Sequence, residues 1–347
     1  MPKFQIDKDY LINCFKEIVN IPSPVGFYPL MNPVMEKIAG ELGCEITYDH
    51  KSTPYIKMPG RDHTKTVLIG AHLDTIGCVV RKIDPNGWLR LRNLGGVNYA
   101  SLEGETVTVH TREGKVYTGL VACQSHSVHV FDDAYTSERS EKTMVVMLDA
   151  PVKSKKDVED LGIRHGDFVA PDPRCQVTEN GYVKSRFIDD KAAVACALTA
   201  IRYMKENNLT PAFDTLFAFP YGEEIGFGGT FVPAGVSEYV ALDIGLIGPD
   251  YDGSEFNVAI CAKDAAAPYD YDLTTRLIRY AEKAECDYAV DVFYRYGTDG
   301  NAAVRAGNNL RAAAFGMPVL CSHGMERTHI DSLDNTTNLL LAYLLDI

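Results

Sequence analysis

The chain has 347 residues, 46% of them hydrophobic and 23% charged, with a formal net charge of −13. This composition is typical of a globular protein, and the length allows more than one domain. The acidic balance argues against nucleic-acid binding, and no apolar run approaches the roughly 20 residues of a membrane span. Nine cysteines without CxxC pairs, and an N-terminus without the apolar core of a secretory signal, predict a reducing, cytoplasmic location.

The first part of the chain is predicted to alternate helices and strands. The predicted elements are helices over 7–20 and 28–42, short strands over 45–48 and 55–58, and a buried strand over 65–75. The last of these changes from apolar to polar at His72. This alternation predicts an α/β domain.

Residues 79–172 have a different pattern, in which short β-like runs are separated by turns. The clearest runs are 88–91, 106–110 and 143–147, and the one helix expected here is short, near 155–161. The region is predicted to be a small β-barrel or sandwich inserted into an α/β domain made of residues 1–78 and 173–347. Exposed strand edges in a small β module need covering, which predicts self-association.

The α/β pattern resumes after the insertion. The predicted elements are helices over 190–206, 273–284 and 334–345, and strands over 215–220, 240–245, 256–261 and 318–323. Several of these strands end in acids or imidazoles, so their ends are candidate site positions.

Two adjacent acids, Glu223 and Glu224, follow one of these strands and precede a glycine-rich turn. Neighbouring carboxylates repel each other unless a cation, a proton or solvent intervenes. One of them could bind a metal while the other handles protons. The alternative is that both are solvated loop acids, and only ligands elsewhere in the chain can decide between the two interpretations.

Other ligand-type residues also lie at strand or helix ends. They are His72 and Asp74 after the strand 65–75 becomes polar, Asp189 and Asp190 before a helix, Asp243 in the strand 240–245, and His323 and His329 near the last strand. In an open α/β sheet, sites form at the carboxyl ends of the strands. Imidazoles and carboxylates gathered there are the ligand set of two divalent metals, with zinc favoured.

Each of these residues also has an ordinary interpretation. Asp74 could orient the His72 ring, whereas Asp190 is explained as the N-cap of the following helix, which leaves Asp189 free to bridge two metals. Asp243 could be a loop acid and Asp299 a turn residue. The remaining histidines are taken as ordinary core or surface residues: His50, His63, His110, His126, His129 and His165.

Four motifs, in this order, resemble the M42 family of metallo-aminopeptidases. They are Gly70-Ala71-His72-Leu73-Asp74, the stretch 185–192 (Ser-Arg-Phe-Ile-Asp-Asp-Lys-Ala), the stretch 221–226 (Tyr-Gly-Glu-Glu-Ile-Gly) and Ala241-Leu242-Asp243. The family includes glutamyl aminopeptidases, the tetrahedral TET peptidases and proteins labelled "endoglucanase M". The resemblance covers nearly the whole chain and implies a mixed-sheet α/β/α metallopeptidase domain with an inserted β-barrel-like dimerisation domain. It also implies a homo-oligomer, either a dimer or a dodecamer.

The same resemblance implies two divalent metal ions per subunit, with Zn²⁺ favoured and Co²⁺ or Mn²⁺ as alternatives. The implied roles are His72 and Asp243 on one metal, Glu224 and His329 on the other, Asp189 as the bridge and Glu223 as the general base. Asp74 is grouped with Glu223 as a catalytic residue. The end of the chain departs from the family pattern Arg-Tyr-x-His. His329 is preferred as the last ligand because it follows an Arg and precedes Ile330-Asp331-Ser332, and His323 is its rival.

The predicted function is removal of N-terminal residues from peptides that have a free N-terminus. Two cations would lower the pKa of a water between them, and Glu223 would take its proton and pass it to the leaving amine. One alternative is hydrolysis of another amide, as in an N-acyl amino acid deacylase. A second is an endoglucanase, which needs a carboxylate pair and no metal. A third is a non-enzymatic protein that uses metals only for stability.

Overall fold

The computed structural model describes residues 3–347, which form a mixed α/β structure. The helices are α1 (Lys8–Val19), α2 (Met31–Glu41), α3 (Lys155–Asp160), α4 (Ile188–Glu206), α5 (Tyr271–Lys283), α6 (Asp299–Arg305) and α7 (Ile330–Leu345), with 3₁₀ turns at Tyr99–Ser101, Glu223–Ile225 and Gly228–Thr230. Within residues 3–347, no helix combines the length and apolar character that crossing a membrane requires. All of these α-helices except α6 correspond to a helix predicted from the sequence.

The strands divide between a large sheet, a barrel and two small sheets. They are β1 (Ile46–Tyr48), β2 (Pro54–Met58), β3 (Asp62–Gly70), β4 (Gly77–Ile83), β5 (Leu89–Leu94), β6 (Thr106–His110), β7 (Val116–Cys123), β8 (Met144–Leu148), β9 (Phe168–Pro171), β10 (Gln176–Val177), β11 (Tyr182–Ser185), β12 (Phe213–Ala218), β13 (Val236–Leu242), β14 (Gly245–Leu246), β15 (Val258–Lys263), β16 (Tyr288–Val292), β17 (Arg311–Gly316), β18 (Pro318–Val319) and β19 (Glu326–His329).

The large sheet has eight strands in the order β1-β2-β12-β3-β13-β17-β15-β16. Its centre is parallel, because β12 and β13 both pair in parallel with β3, and β13 pairs in parallel with β17. β15 runs antiparallel to β17, so the sheet is mixed. The carboxyl ends of four neighbouring strands therefore meet at one edge of the sheet.

Both faces of this sheet are buried. Along β13, Val240 and Leu242 join the large core that also contains the apolar faces of α1, α4, α5 and α7, whereas Tyr239 and Ala241 join a second core that includes Ala303 of α6. Side chains alternate across a strand, so this division places helices on both sides of the sheet. The predicted α/β/α layering is confirmed.

The insertion is a closed antiparallel barrel with the strand order β4-β5-β8-β7-β6-β9. Its strands run from Gly77 to Pro171 around their own apolar core. The domain bounds 79–172 stay a prediction. Because the barrel closes on itself, its strands leave no open edge that self-association would have to cover, contrary to the prediction of exposed edges.

The predicted strand over 318–323 is also wrong beyond Val319. Leu320 pairs back with Arg327 through two main-chain hydrogen bonds, Leu320 N to Arg327 O at 2.9 Å and Arg327 N to Leu320 O at 3.1 Å. The chain therefore turns between these residues, with Cys321 and His323 at positive φ of 58° and 60°. His323 consequently stands on a turn that leads into β19, rather than on a strand.

Candidate active site

Five segments bring polar side chains to the carboxyl edge of the parallel strands. His72 and Asp74 follow β3, Glu223 and Glu224 follow β12, and Asp243 directly follows β13. The turn that holds His323 follows β17 and β18, and Asp189 lies at the beginning of α4. These residues thus meet at the carboxyl ends of the strands, where sites form in open α/β sheets.

Asp189 lies between two imidazoles. Its Oδ1 is 3.1 Å from Nε2 of His72, and its Oδ2 is 3.5 Å from Nε2 of His323. The His72 side chain is 2% exposed, whereas that of His323 is 33% exposed. The bridging position predicted for Asp189 therefore has one imidazole at each oxygen, one buried in the domain and one near the surface.

Further carboxylates lie beside each imidazole. Glu223 Oε2 is 3.6 Å from His72 Nε2, and Glu224 Oε2 is 3.5 Å from His323 Nε2. Ligand atoms of His72, Glu223 and Asp243 lie within 4.8 Å of one another. Asp189, Glu223, Glu224, Asp243 and His323 line one cavity of about 640 Å³. Glu223 and Glu224 are consequently parts of this cluster rather than solvated loop acids.

Asp74 holds the backbone of the two adjacent glutamates. Its Oδ1 accepts the N–H of Glu223 and its Oδ2 accepts the N–H of Glu224, each at 3.1 Å. The His72 ring is oriented mainly by the Asp74 main-chain oxygen, 2.9 Å from Nδ1, while the carboxylate is 3.5 Å away. Asp74 thus acts on His72 largely through its backbone, and its side chain fixes the Glu223–Glu224 turn.

The sequence predicts Asp190 as the N-cap of α4, but its side chain does not cap that helix. The backbone is non-helical at Asp189 and Asp190, within the range of α4 that follows Phe187 at a left-handed φ of 66°. The Asp190 side chain turns to the site instead, where its Oδ2 accepts the N–H of His72 at 3.0 Å. Its Oδ1 is buried and has no hydrogen-bond partner among residues 3–347. Sequence reasoning missed this role because an acid before a helix is ordinarily a cap.

Asp299 fixes the glycine-rich turn after the two glutamates. It lies in the first turn of α6, after the N-cap Thr298, and its Oδ1 accepts the N–H of Gly229 at 2.6 Å. A Cβ at Gly228 would collide with the Asp299 carboxylate. The interpretation of Asp299 as only a turn residue, which the sequence left open, therefore does not hold. In the sequence, the adjacent glycines Gly228 and Gly229 were the signal that another part of the chain approaches their backbone closely.

His323 is held at its ring and at its backbone. Ring Nδ1 lies 2.9 Å from the main-chain oxygen of Gly96, in the inserted domain. The main-chain N–H of His323 donates to Glu326 Oε1 at 3.0 Å. Glu326 was not among the predicted site residues. The available signal in the sequence was its position three residues after His323, a candidate metal ligand.

The structure places His329 outside this cluster, contrary to the expectation that it is the last ligand. Its Nε2 lies 2.7 Å from the main-chain oxygen of Asn180, and its Nδ1 accepts the N–H of Asp331 at 3.1 Å as the N-cap of α7. Its ring packs against Tyr182 and Phe256. Both ring nitrogens are thus engaged in holding the chain, and His323 takes the position beside Asp189.

The acids of the cluster perturb one another. Burial, then the charge of Asp189, raises the pKa of Glu224 to about 8 and that of Asp243 to about 7. Although burial opposes the charged form of His323, hydrogen bonding to Asp189 and the charge of Glu224 raise the pKa of that imidazole to about 10. Burial likewise opposes ionisation of Asp189, but the hydrogen bonds from His323 and His72 hold its pKa below the ordinary value. Positive charge brought to this cavity would be strongly stabilised.

These residues fit a divalent metal. They offer imidazole nitrogens and carboxylate oxygens, the donors that zinc accepts, in groups such as His72, Asp189 and Glu224. Asp190, whose buried Oδ1 has no partner within residues 3–347, also offers a carboxylate oxygen within 4.8 Å of those of Asp189 and Asp243. The fold and the site together are those of an α/β protein that has potential metal ligands at the carboxyl edge of its central sheet.

The comparisons with known proteins give the family. The model of the M42 glutamyl aminopeptidase family matches residues 53–339. The chain belongs to this family and is a peptide hydrolase, which confirms the resemblance found in the sequence.

Relatives and solved structures match over nearly the full length. A relative named putative aminopeptidase YhfE, from Bacillus subtilis, is 40% identical over 331 residues, 95% of each chain. The structure of the Pyrococcus horikoshii TET1 peptidase has a TM-score of 0.85 at 23% identity and covers 97% of this chain and 100% of that chain. A TET aminopeptidase from a Thaumarchaeota archaeon has a TM-score of 0.85 at 19% identity, with coverages of 98% and 97%. At these identities the two structures show the fold.

Proposed function

We propose that this protein is an aminopeptidase that depends on two divalent metal ions and removes N-terminal residues from peptides with a free α-amino group. The observation that carries the proposal is Asp189, whose two oxygens face different imidazoles, His72 and His323. A carboxylate in this position can serve two cations at once, and metal pairs of this kind occur in aminopeptidases. The family membership supports the peptide substrate.

The proposed ligands follow from proximity to the two imidazoles. His72 and Asp243 would hold one metal, His323 and Glu224 the other, and Asp189 both. His323 replaces His329 in this set. Zn²⁺ is the favoured metal because the donors mix nitrogen and oxygen, and Co²⁺ and Mn²⁺ are alternatives.

Glu223 is the proposed general base. Its Oε2 lies 3.6 Å from His72 Nε2 and the residue lines the cavity, while Asp74 fixes its backbone. Oε2 would accept the proton of the attacking water and return it to the leaving amine. Bound divalent cations would supply the chemistry that acidifies the water and polarises the scissile carbonyl. The free α-amino group of the peptide would lie in the same acidic cavity, where the carboxylates favour a cationic group.

The variant Glu223→Gln tests this assignment. We expect it to bind metal like the wild type and to lose about 10²–10⁴-fold in turnover, the typical contribution of a positioned base. The matched control is Glu255→Gln, because Glu255 pairs with Arg327 outside the cluster. Turnover near the wild-type value in Glu223→Gln would remove Glu223 from the base role.

Metal removal and a substrate panel test the reaction class. Chelation should abolish hydrolysis of aminoacyl substrates, and Zn²⁺, Co²⁺ or Mn²⁺ should restore it. Substrates with a free amino group should be cleaved and their N-acetylated counterparts should not. The reverse preference would favour a deacylase instead.

Self-association and a cytoplasmic location complete the proposal. The P. horikoshii TET1 peptidase can assemble into a tetrahedron or a large octahedral shell, and the solved structure of PhTET1-12s holds a dodecamer. These relatives, rather than strand edges, support an oligomer here. The native mass of the particle distinguishes a dimer from a dodecamer.

A further inference from the structure

Glu326 is a buried carboxylate that joins the segments of two proposed metal ligands. It is 2% exposed and begins β19. Its Oε2 accepts the N–H of Asp189 and its Oε1 accepts the N–H of His323, each at 3.0 Å. Among residues 3–347, these two amides are the hydrogen-bond partners of its side chain. The two oxygens of one carboxylate thus each hold a different part of the chain.

The backbone around Glu326 explains why it can reach both segments. β11 and β19 pair antiparallel, and Glu326 is opposite Ser185 at the end of that pairing. After β11 ends at Ser185 the chain continues to Asp189, and the turn that precedes β19 contains His323. The side chain of Glu326 therefore bridges two segments at the point where they leave the pairing of β11 with β19.

His323 needs such support more than His72 does. His72 follows a strand of the central sheet and is buried, whereas His323 stands on a turn at a φ of 60° and is one-third exposed. Left-handed backbone is unfavourable for a residue with a Cβ and persists only where surrounding contacts impose it. The main-chain oxygen of Gly96 orients the ring, and Glu326 restrains the backbone.

Asp74 provides a precedent within the same site. Its two oxygens accept the N–H groups of Glu223 and Glu224 in the same manner. Both carboxylates hold main-chain amides of residues whose side chains line the cavity. Groups that orient metal ligands in this way commonly change metal affinity when they are removed.

We propose that Glu326 is a positioning residue that sets the placement of His323 relative to Asp189 and thereby the affinity for the metal held by His323. This inference rests on the proposed metal centre. A glutamine at this position keeps the shape of the side chain but has one acceptor oxygen and a donor NH₂ group. In Glu326→Gln, one of the two amides would therefore face another donor.

The test is a Zn²⁺ titration of the metal-free wild type, Glu326→Gln, Glu255→Gln and His323→Ala, with a competing chelator of known affinity. We expect two binding steps in the wild type and in Glu255→Gln, which carries the same substitution on a carboxylate near the same turn. His323→Ala identifies the step that depends on this imidazole. In Glu326→Gln that step should weaken about 10–100-fold, while the other step changes less.

Three results would overturn the inference or its basis, and they are distinguishable. Wild-type affinity in Glu326→Gln would overturn the inference and leave the metal centre intact. Equal weakening in Glu255→Gln would show a general effect on the turn and would also overturn it. Absence of Zn²⁺ binding by the wild type would overturn the proposed function itself.

Hydrogen exchange of the metal-free wild type gives a test that does not depend on folding of the variant. The amides of Asp189 and His323 should both be protected if Glu326 holds them. Free exchange of the His323 amide would contradict the proposal even if Glu326→Gln fails to fold.

Discussion

Glu238 and Asp243 are buried acids on one strand, β13 and the residue after it, but their surroundings differ. Glu238, near the beginning of the strand, has Lys65 Nζ at 3.1 Å and Arg276 Nη2 at 2.6 Å, and it accepts a hydrogen bond from Tyr343 at 2.9 Å. Burial opposes its ionisation, but these cations hold the pKa of Glu238 below its ordinary value. Asp243, at the other end, has acids as neighbours, and burial followed by the charge of Asp189 raises its pKa to about 7.

The difference separates an acid that stabilises the fold from acids that serve a site. A buried charge is expensive unless a partner compensates it, and Glu238 has its partners within the chain. The acids around Asp189 share their two imidazoles among several carboxylates, so a compensating charge has to come from outside the chain. Clusters of this kind are typical of functional sites. Substitutions at the two ends of β13 should therefore have different consequences.

The largest expected effect concerns the second imidazole at the carboxyl edge. We expect His323→Ala to lose one metal and about 100-fold or more in activity, since even groups that only orient ligands cost 10–100-fold. His329→Ala should keep both metals and lose about 1 kcal/mol of stability, because it removes the N-cap of α7. Metal content, turnover and urea unfolding of both variants measure the contrast. Loss of metal from His329→Ala alone would reverse the assignment.

A smaller effect is expected at the amino end of β13. Glu238→Gln should lower the free energy of unfolding at pH 7 by about 2 kcal/mol, the contribution of hydrogen bonds to a charged group, without changing metal binding. Because the folded pKa of Glu238 is below the unfolded value, its stabilisation is present above the unfolded pKa and is lost as the pH falls through the folded pKa. Urea unfolding should thus show the two proteins converging at acid pH. A stability difference that stays constant into strong acid would contradict the role of this charge.

The smallest effect is expected at Asp243 in the metal-free protein. Ligand atoms of Asp189, Asp190 and Asp243 lie within 4.8 Å of one another, so removing one negative charge relieves repulsion. Asp243→Asn should raise the stability of the metal-free protein by about 1 kcal/mol, the free energy of roughly one pKa unit. Added Zn²⁺ should stabilise this variant less than the wild type. A loss of stability in the metal-free variant would show that Asp243 behaves like Glu238.

The candidate site residues that follow regular strands could be predicted from the sequence. His72, Glu223 and Glu224 stand just after buried apolar runs, whose pattern is strong and whose ends meet because β3 and β12 are parallel neighbours. β17 was not predicted, because its run of alanines has high helix propensity and low strand propensity. Without β17, the turn that follows it could not be placed.

The choice between His323 and His329 depended on that missing turn. His329 has the more familiar neighbours in the sequence, but hydrogen bonds to Asn180 and Asp331 hold its ring elsewhere. His323 reaches Asp189 because the chain reverses between Leu320 and Arg327. The backbone roles of Asp74, Asp190 and Glu326 are likewise tertiary contacts, which spacing along the chain does not encode.

The most direct test of the central claim is anomalous X-ray diffraction from crystals soaked in Zn²⁺, measured on both sides of the zinc absorption edge. The account predicts two zinc peaks beside Asp189, one adjoining His72 and the other adjoining His323. A single peak, or a peak at His329 with none at His323, would contradict it.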